Sequence, residues 1–242
     1  GLSGGTITPS AYSINTTSKF GIYKYSGTGS TGTIAHGLGA VPTFMVFKKI
    51  DSTQGWHVYH KSMGNTHEIY LDSQGSQNDV DTAFNDTSPT STLFTIGTSN
   101  GMNSNGHDYI AYVWCDVQGY CSTGNYTANG NNDGNFIYTG HKPKFFLLKA
   151  YTGGSSSSRN WLLYDDKRNG RNAVDDANDN RSLRPNQQHN EATASGYHLD
   201  MLSNGVKLRS NSGELNTSGE SYIYFSIGQT MVGTNNIPAN AR

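Results

Sequence analysis

The sequence predicts an all-β protein made of two tandem, related antiparallel β-sandwich repeats of the jelly-roll or lectin-like kind. Its composition is the first reason: only 33% of residues are apolar and 14% charged, while there are 29 glycines and 15 tyrosines. Such a chain is poor in helix formers and rich in turn formers and strand-favouring aromatics. No segment keeps a 3.6-residue apolar period for more than a turn or two, which disfavours helices.

A set of landmarks that occurs twice in the same order is the third reason. Each copy has a proline followed by an apolar run that ends in lysine, then a tryptophan strand, and finally a closing strand rich in tyrosine and isoleucine. The pairs of segments are 42–49 and 143–150, 56–59 and 161–164, and 109–114 and 222–227. A period of about 100 residues is too long for a solenoid and suits a small β-domain.

The first copy contains a succession of short strand candidates separated by Gly, Asn and Ser turns. They are predicted at 19–25, 33–36, 43–49, 56–61, 68–72, 92–96 and 109–114, with a polar connection at 73–90. Asn105-Gly106 is a turn signal that leads directly into the closing strand.

The second copy repeats this order with a longer and more charged middle connection. Its strands are predicted at 135–138, 143–150, 161–164, 197–202, 206–208 and 222–227, and the charged connection at about 165–195. The predicted organisation is an N-terminal linker or arm (1–18), a first repeat (19–118), a second repeat (119–231) and an extended tail (232–242).

Charge and hydropathy exclude several classes of partner. The net charge is −1 and there is no run of Lys or Arg, so neither a nucleic-acid surface nor an anionic membrane surface is expected. No apolar stretch approaches the roughly 18–20 residues that span a bilayer. The first five residues lack the basic and apolar regions of a secretory signal. The absence of an initiator Met suggests a processed product, a tag remnant or an excised piece of a longer chain.

No catalytic, metal or cofactor site is predicted. Residues 175–180 are rich in oxygen ligands but lack the glycine and glutamate of an EF-hand loop, which favours a salt-bridged loop over calcium. Cys115 and Cys121 are expected to be unpaired thiols, although their spacing also permits a small disulfide loop. Four histidines, expected at the surface or an interface, show no ligand spacing: His36, His57, His60 and His67. Glycan hydrolysis would need two facing carboxylates, and six are available without any pair being identifiable: Glu68, Asp72, Asp116, Asp200, Glu214 and Glu220.

Aromatic residues are the remaining candidates for function. Trp56 and Trp161 recur at the same place, which indicates a core role, although one edge of so large a ring can still face a groove. Tyrosines among Asn, Ser and Gly suit the binding of sugars or proteins, while packing on strands is the alternative. The loop candidates for ligand binding are Tyr120, Tyr126, Tyr151, Arg168, Arg171 and Tyr197.

These motifs resemble a repeat family of phage tail-fibre and related virion proteins, especially from marine and cyanobacterial phages. The similar features are the Gly-x-x-Pro entry to an apolar strand ending in Lys (39–48 and 140–149), the tryptophan strand, and the closing segment 103–112 with its weaker counterpart 216–223. The tail 235–242 is similar to the Pro-x-x-Ala-Arg ending of such proteins. The resemblance implies a trimeric virion surface component, at a fibre tip, that contacts the host envelope.

The expected function is therefore a non-catalytic fibre or tail-tip module in the virion that binds a host surface glycan or protein and contacts other virion proteins. A capsid decoration or head-fibre protein is one alternative. A polysaccharide depolymerase is the other. The resemblance transfers no catalytic residue.

Overall fold

The protein folds into two compact units. A computed structural model describes residues 2–153, 159–168, 181–191 and 195–230 of the chain. One unit comprises Gly1–Ser73 with Gln77–Asp116, and the other comprises Gln74–Ser76 with Val117–Arg242. Of the residues that the structure describes, strands account for 42% and helices for 5%, and the strands form several antiparallel sheets. The predicted all-β class is confirmed.

The first unit contains nine strands and two short helices among its described residues. These are β1 (Ala11–Asn15), β2 (Phe20–Ser26), β3 (Gly32–Ala35), β4 (Phe44–Lys49), β5 (Trp56–His60), β6 (His67–Tyr70), β7 (Asn78–Asp79), α1 (Asp81–Phe84), β8 (Leu93–Ile96), α2 (Asn100–Asn103) and β9 (Asp108–Trp114). Seven strands form one sheet in the order β1-β2-β9-β4-β5-β6-β7, and β3 pairs with β8. The apolar run after Pro42 thus lies in the middle of the large sheet.

The N-terminal segment predicted as a linker or arm contributes strand β1. It pairs antiparallel with β2 from Ala11 to Asn15. Tyr12 and Ile14 alternate with small polar residues, which is the pattern of a strand with one contact face. Tyr12 is 46% exposed, while Ile14 packs against the core.

The core of the first unit lies on one face of the large sheet. Along β9, Tyr109, Ala111 and Val113 are buried, whereas the residues between them are only partly buried. Helix α1, in the connection predicted to be polar, adds Phe84, whose ring lies 5.3 Å from that of Tyr59. The alternation on β9 therefore leaves Ile110, Tyr112 and Trp114 on the opposite face of the sheet.

Three of the four histidines predicted at the surface or an interface are buried inside the first unit, so that prediction is wrong for them. His36, His57 and His60 are at most 3% exposed, while His67 is partly exposed. His57 Nδ1 lies 2.6 Å from the buried carboxylate of Glu68. A polar ring can be buried here because a partner compensates the lost hydration.

The second unit contains seven strands and one 3₁₀ helix among its described residues. They are β10 (Cys121–Thr127), β11 (Phe136–Tyr138), β12 (Lys142–Ala150), β13 (Leu162–Asp165), the 3₁₀ helix (Ser195–Tyr197), β14 (Leu199–Met201), β15 (Gly205–Leu208) and β16 (Ser221–Gln229). Their sheets have the orders β10-β16-β12-β13 and β11-β15-β14. The predicted strand at 197–202 is shorter than expected because a 3₁₀ turn precedes it. Arg171, the acidic segment 175–180 and the tail 232–242 lie outside the described residues.

The two units share their cross-strand partners. The lysine ending the central strand lies opposite an isoleucine of the closing strand in each, Lys48 opposite Ile110 and Lys149 opposite Ile223. A closing-strand tyrosine stacks on a tyrosine of the next strand, with centroid distances of 5.4 Å and 5.0 Å. Those stacked pairs are Tyr109 with Tyr25 and Tyr222 with Tyr126.

A buried asparagine ties the loops beside each stacked pair. Asn103 Nδ2 donates to the carbonyls of Ser30 and Gly97. Asn216 Nδ2 donates to the carbonyls of Asn131 and Ser210. Each side-chain amide therefore donates to loop carbonyls that have no partner in a strand ladder.

Both cysteines are reduced and buried. Cys115 Sγ lies 3.2 Å from the carbonyl oxygen of Ala40, to which it donates. Burial raises the pKa of the Cys115 thiol to about 11. Neither residue forms the disulfide loop that the spacing had left open.

Candidate functional site

A shallow cavity opens on the first unit at the end of the central strand. Its volume is about 630 Å³, and its lining comes from residues 48–53, from Trp56 on β5 and from Ile110 and Tyr112 on β9. We refer to this cavity as the Trp56 groove. It lies on the face of the large sheet that does not carry the core of the first unit.

The indole of Trp56 is held by the lysine directly opposite it. Lys48 and Trp56 are paired residues of β4 and β5, and Lys48 Nζ lies 5.4 Å from the ring centroid. The ammonium group also donates to the carbonyl oxygen of Gln54. Asp72 Oδ1 accepts the backbone N–H of Trp56 at 3.0 Å. The cation–π contact therefore holds the ring, while the two hydrogen bonds hold the lysine and the Trp56 backbone.

Aliphatic and aromatic side chains form the rest of the apolar surface. Ile50, which follows the strand, is 49% exposed. The ring of Tyr112 stacks at 6.2 Å on that of Trp114, which holds it on the sheet. An exposed aliphatic chain beside two anchored rings is a surface on which a flat apolar ligand face can pack.

The polar edge of the Trp56 groove is built around Asp51. Its Oδ2 accepts the backbone N–H of Asp108 at 3.0 Å and lies 3.1 Å from His107 Nδ1. The Asp108 N–H, and then His107, hold the pKa of the Asp51 carboxyl below its usual value. Ser52 and Thr53 follow, and both are exposed. The edge thus offers an ionised acceptor and two hydroxyl groups.

The second unit contains the same lysine–tryptophan pair in a closed environment. Lys149 Nζ lies 5.9 Å from the centroid of the Trp161 ring and donates to the carbonyl oxygen of Arg159. Trp161 is 1% exposed and Lys149 is not exposed at all. Burial lowers the pKa of Lys149 from 10.5 to about 7. Of the two pairs, only the one in the first unit can reach a ligand.

Comparison with known proteins identifies the family of the chain. Residues 3–230 match the family described as a domain of unknown function, DUF7483. The chain belongs to the DUF7483 family. No curated protein and no solved structure matches it.

Two of the tyrosine candidates in this DUF7483 domain are buried. Tyr126 lies on β10, and its hydroxyl donates to the carbonyl of Leu215 at 2.7 Å. Tyr151 follows β12 and is 9% exposed. Tyr120, in the turn before β10, is 38% exposed and remains accessible.

The remaining candidates belong to charged clusters of the second unit. Arg168 pairs with Asp165 at 2.5 Å and with Glu191 at 3.1 Å. Arg184 lies 4.9 Å from the ring centroid of Tyr197. None of the five described candidates lines the Trp56 groove.

Of the residues that do line the groove, Lys48 and Trp56 stood out in the sequence through their recurrence in the second repeat. Asp51, Ile50 and Tyr112 did not. Tyr112 is on the closing strand, and only the pairing of β4 with β9 brings it near Trp56. The one local signal was the polar Asp51-Ser52-Thr53 run that follows the central strand.

Each of the six carboxylates considered for hydrolysis has a protein partner in the DUF7483 domain. Glu68 pairs with His57, Asp116 with Lys61, Asp200 with Arg209, Glu214 with Arg184 and Glu220 with Arg159, while Asp72 accepts the Trp56 N–H. The part of the chain that the structure describes has no group of three or more His, Cys, Asp or Glu placed to hold a metal ion.

Among the described residues, no helix is long and apolar enough to cross a membrane.

Proposed function

We propose that this chain is a non-catalytic surface module of a phage virion, at a fibre or tail tip, that binds a host surface glycan or protein. The observation that carries this proposal is the Trp56 groove, with its anchored indole and ionised Asp51. The phage setting rests on the motif resemblance. Together they support the proposal of a particle-surface protein that recognises a ligand without transforming it.

The groove suits weak, repeated contact. An aromatic stacking contact contributes about 0.5–1.5 kcal/mol beyond burial, so one site binds weakly. A homotrimer that presents three such grooves would gain affinity because later contacts become intramolecular. We therefore include self-association, as a trimer, in the proposal.

We further propose that the two units are descendants of one β-sandwich that was duplicated. The matched lysine–isoleucine registers, the stacked tyrosines and the buried Asn103 and Asn216 support this origin. After duplication, the Lys48–Trp56 pair stayed open while the Lys149–Trp161 pair became buried. An experimental structure in which the two units cannot be superposed on these residues would contradict the duplication.

The positions of the six carboxylates support binding over hydrolysis. An acid–base pair must reach the substrate, and none of the six lines the Trp56 groove. A depolymerase would release reducing ends from host capsule. We expect the purified chain to release none, and any release that depends on one carboxylate pair would contradict this part of the proposal.

Adsorption to host cells tests the proposed function. Fluorescently labelled chain should bind host cells and compete with phage adsorption, and Trp56→Ala should abolish both effects. Tyr138→Ala is the matched control because Tyr138 is an aromatic residue of the second unit that is 58% exposed. Equal binding by wild type and Trp56→Ala would refute the role of the groove, and no binding at all would refute the function.

The edge strand β1 favours a second candidate, a capsid decoration or head-fibre protein that docks on another virion subunit. β1 is regular, uncharged and exposed at the edge of the large sheet. Such edges pair readily with another strand. Immuno-electron microscopy that finds the chain on heads and not on tails would favour this candidate.

A further inference from the structure

Two charged side chains border the open rings of the Trp56 groove, and both are preorganised. Lys48 is held over the indole and by the Gln54 carbonyl. Asp51 is held by the Asp108 N–H and by His107. An ammonium group has about three donors and a carboxylate about four acceptor sites, so each can bind a further partner.

The opposite signs of these charges restrict the ligand. Because Lys48 and Asp51 both line the groove, an anionic ligand that fills it meets the Asp51 carboxylate, and a cationic ligand meets the Lys48 ammonium. A hydroxyl group is repelled by neither charge, because it can accept a hydrogen bond from an ammonium and donate one to a carboxylate. A ligand with several hydroxyl groups can therefore hydrogen-bond to both charged side chains.

The apolar part of the groove restricts the ligand further. The Trp56 ring on β5 and the Ile110 and Tyr112 side chains on β9 flank Lys48 on β4, so apolar surface surrounds one ammonium group. A ligand must therefore offer apolar faces to these side chains and polar groups to Lys48 and to the edge of the groove. A pyranose ring has this division, with C–H groups on its faces and hydroxyl groups around its rim.

We infer that the Trp56 groove binds an uncharged pyranose residue, whose C–H face lies on Trp56 and whose hydroxyl groups bind Asp51 and Lys48. This inference rests on the proposed function and names its ligand class. The low pKa of Asp51 supports it, because the carboxylate stays ionised and able to accept hydrogen bonds in neutral and mildly acidic solution.

Matched glycosides test the inference. Methyl β-glucoside and methyl β-glucuronide differ only in the group at C6, and methyl β-galactoside and methyl α-mannoside extend the neutral set. Saturation-transfer NMR and calorimetry on the full chain should show binding of at least one neutral glycoside and weaker binding of the glucuronide. Asp51→Asn should weaken the neutral glycoside about 10-fold or more, because a hydrogen bond to a charged group is lost. Tyr138→Ala should change nothing.

The outcomes separate the ligand class from the proposed function. If the glucuronide binds more tightly than the glucoside, and Asp51→Asn strengthens it, the ligand is anionic and the inference fails while host binding stands. If no glycoside binds but Trp56→Ala still abolishes cell adsorption, the ligand is not a sugar and the inference fails alone. If adsorption is absent as well, the proposed function fails with it.

Discussion

Replacing Lys149 with methionine should remove a pH dependence from the stability of the second unit. Burial lowers the pKa of the ammonium from 10.5 to about 7, Glu214 partly opposes this shift and Arg159 adds to it. Between these values the unfolded chain holds the proton while the folded chain has released it. The free energy of unfolding must therefore rise with pH in this window. As the pH falls through about 7, the folded chain also takes up the proton, and the stabilisation gained from the neutral amine is lost.

The size of the effect follows from the same two values. Each pH unit in the window adds about 1.4 kcal/mol to the free energy of unfolding, and the full span from 10.5 to about 7 corresponds to about 5 kcal/mol as an upper limit. Methionine has a similar length and can keep the contact with Trp161. The variant should therefore lose the pH dependence of its free energy of unfolding and keep the packing around Trp161.

Urea unfolding at pH 7, 8 and 9, followed by tryptophan fluorescence, measures the difference between wild type and Lys149→Met. We expect wild type to gain about 1–3 kcal/mol relative to the variant between pH 7 and 9. Lys167, exposed in the turn after β13, provides the control, and Lys167→Met should follow the wild-type profile. A difference between wild type and Lys149→Met that does not change with pH would refute the reasoning.

Three further predictions concern the stacked tyrosines and the two tryptophans. Tyr109→Phe and Tyr222→Phe should each lower the free energy of unfolding by about 1–3 kcal/mol, because each hydroxyl accepts a backbone N–H and donates to a carbonyl. Tyr12→Phe, an exposed control, should change the free energy of unfolding by less than about 0.5 kcal/mol when it is measured by urea titration. Equal effects of all three substitutions would contradict a stabilising role of the two buried hydroxyl groups. Trp161→Ala should lower the free energy of unfolding by about 3–5 kcal/mol, as the loss of a buried ring does, and Trp56→Ala should lower it clearly less. Differential scanning calorimetry can compare the two variants. A larger loss for Trp56→Ala would contradict the open environment of Trp56 and the closed environment of Trp161. Calorimetry should give one ligand per chain, since only the Trp56 pair is open, and a second equivalent site would disprove this difference.

The strands that could be predicted are those whose own sequence carries the pattern. The run after Pro42 is short, apolar and followed by a loop, and it became β4 within one residue of the predicted start. The tryptophan and closing strands behaved likewise. In each case the information was local, because a buried central strand needs apolar residues on both faces.

Tyr126 shows what the sequence could not provide. Its strand, β10, has the sequence Cys-Ser-Thr-Gly-Asn-Tyr-Thr, which carries no clear alternation. The ring is buried because residues from distant strands pack on it, among them Tyr222 of β16, which stacks on it. Asp51 and Tyr112 meet in the groove for the same kind of reason, since the register between distant strands decides which side chains become neighbours.

The two buried thiols have a practical consequence. The chain has only Cys115 and Cys121, which are 1% and 2% exposed, and the Cys115 thiol remains protonated at neutral pH. The thiolate is the form that attacks a maleimide, so the native protein should react slowly. A cysteine introduced at Thr53 would then accept a fluorophore selectively, giving an optical reporter at the rim of the groove without first deleting native residues.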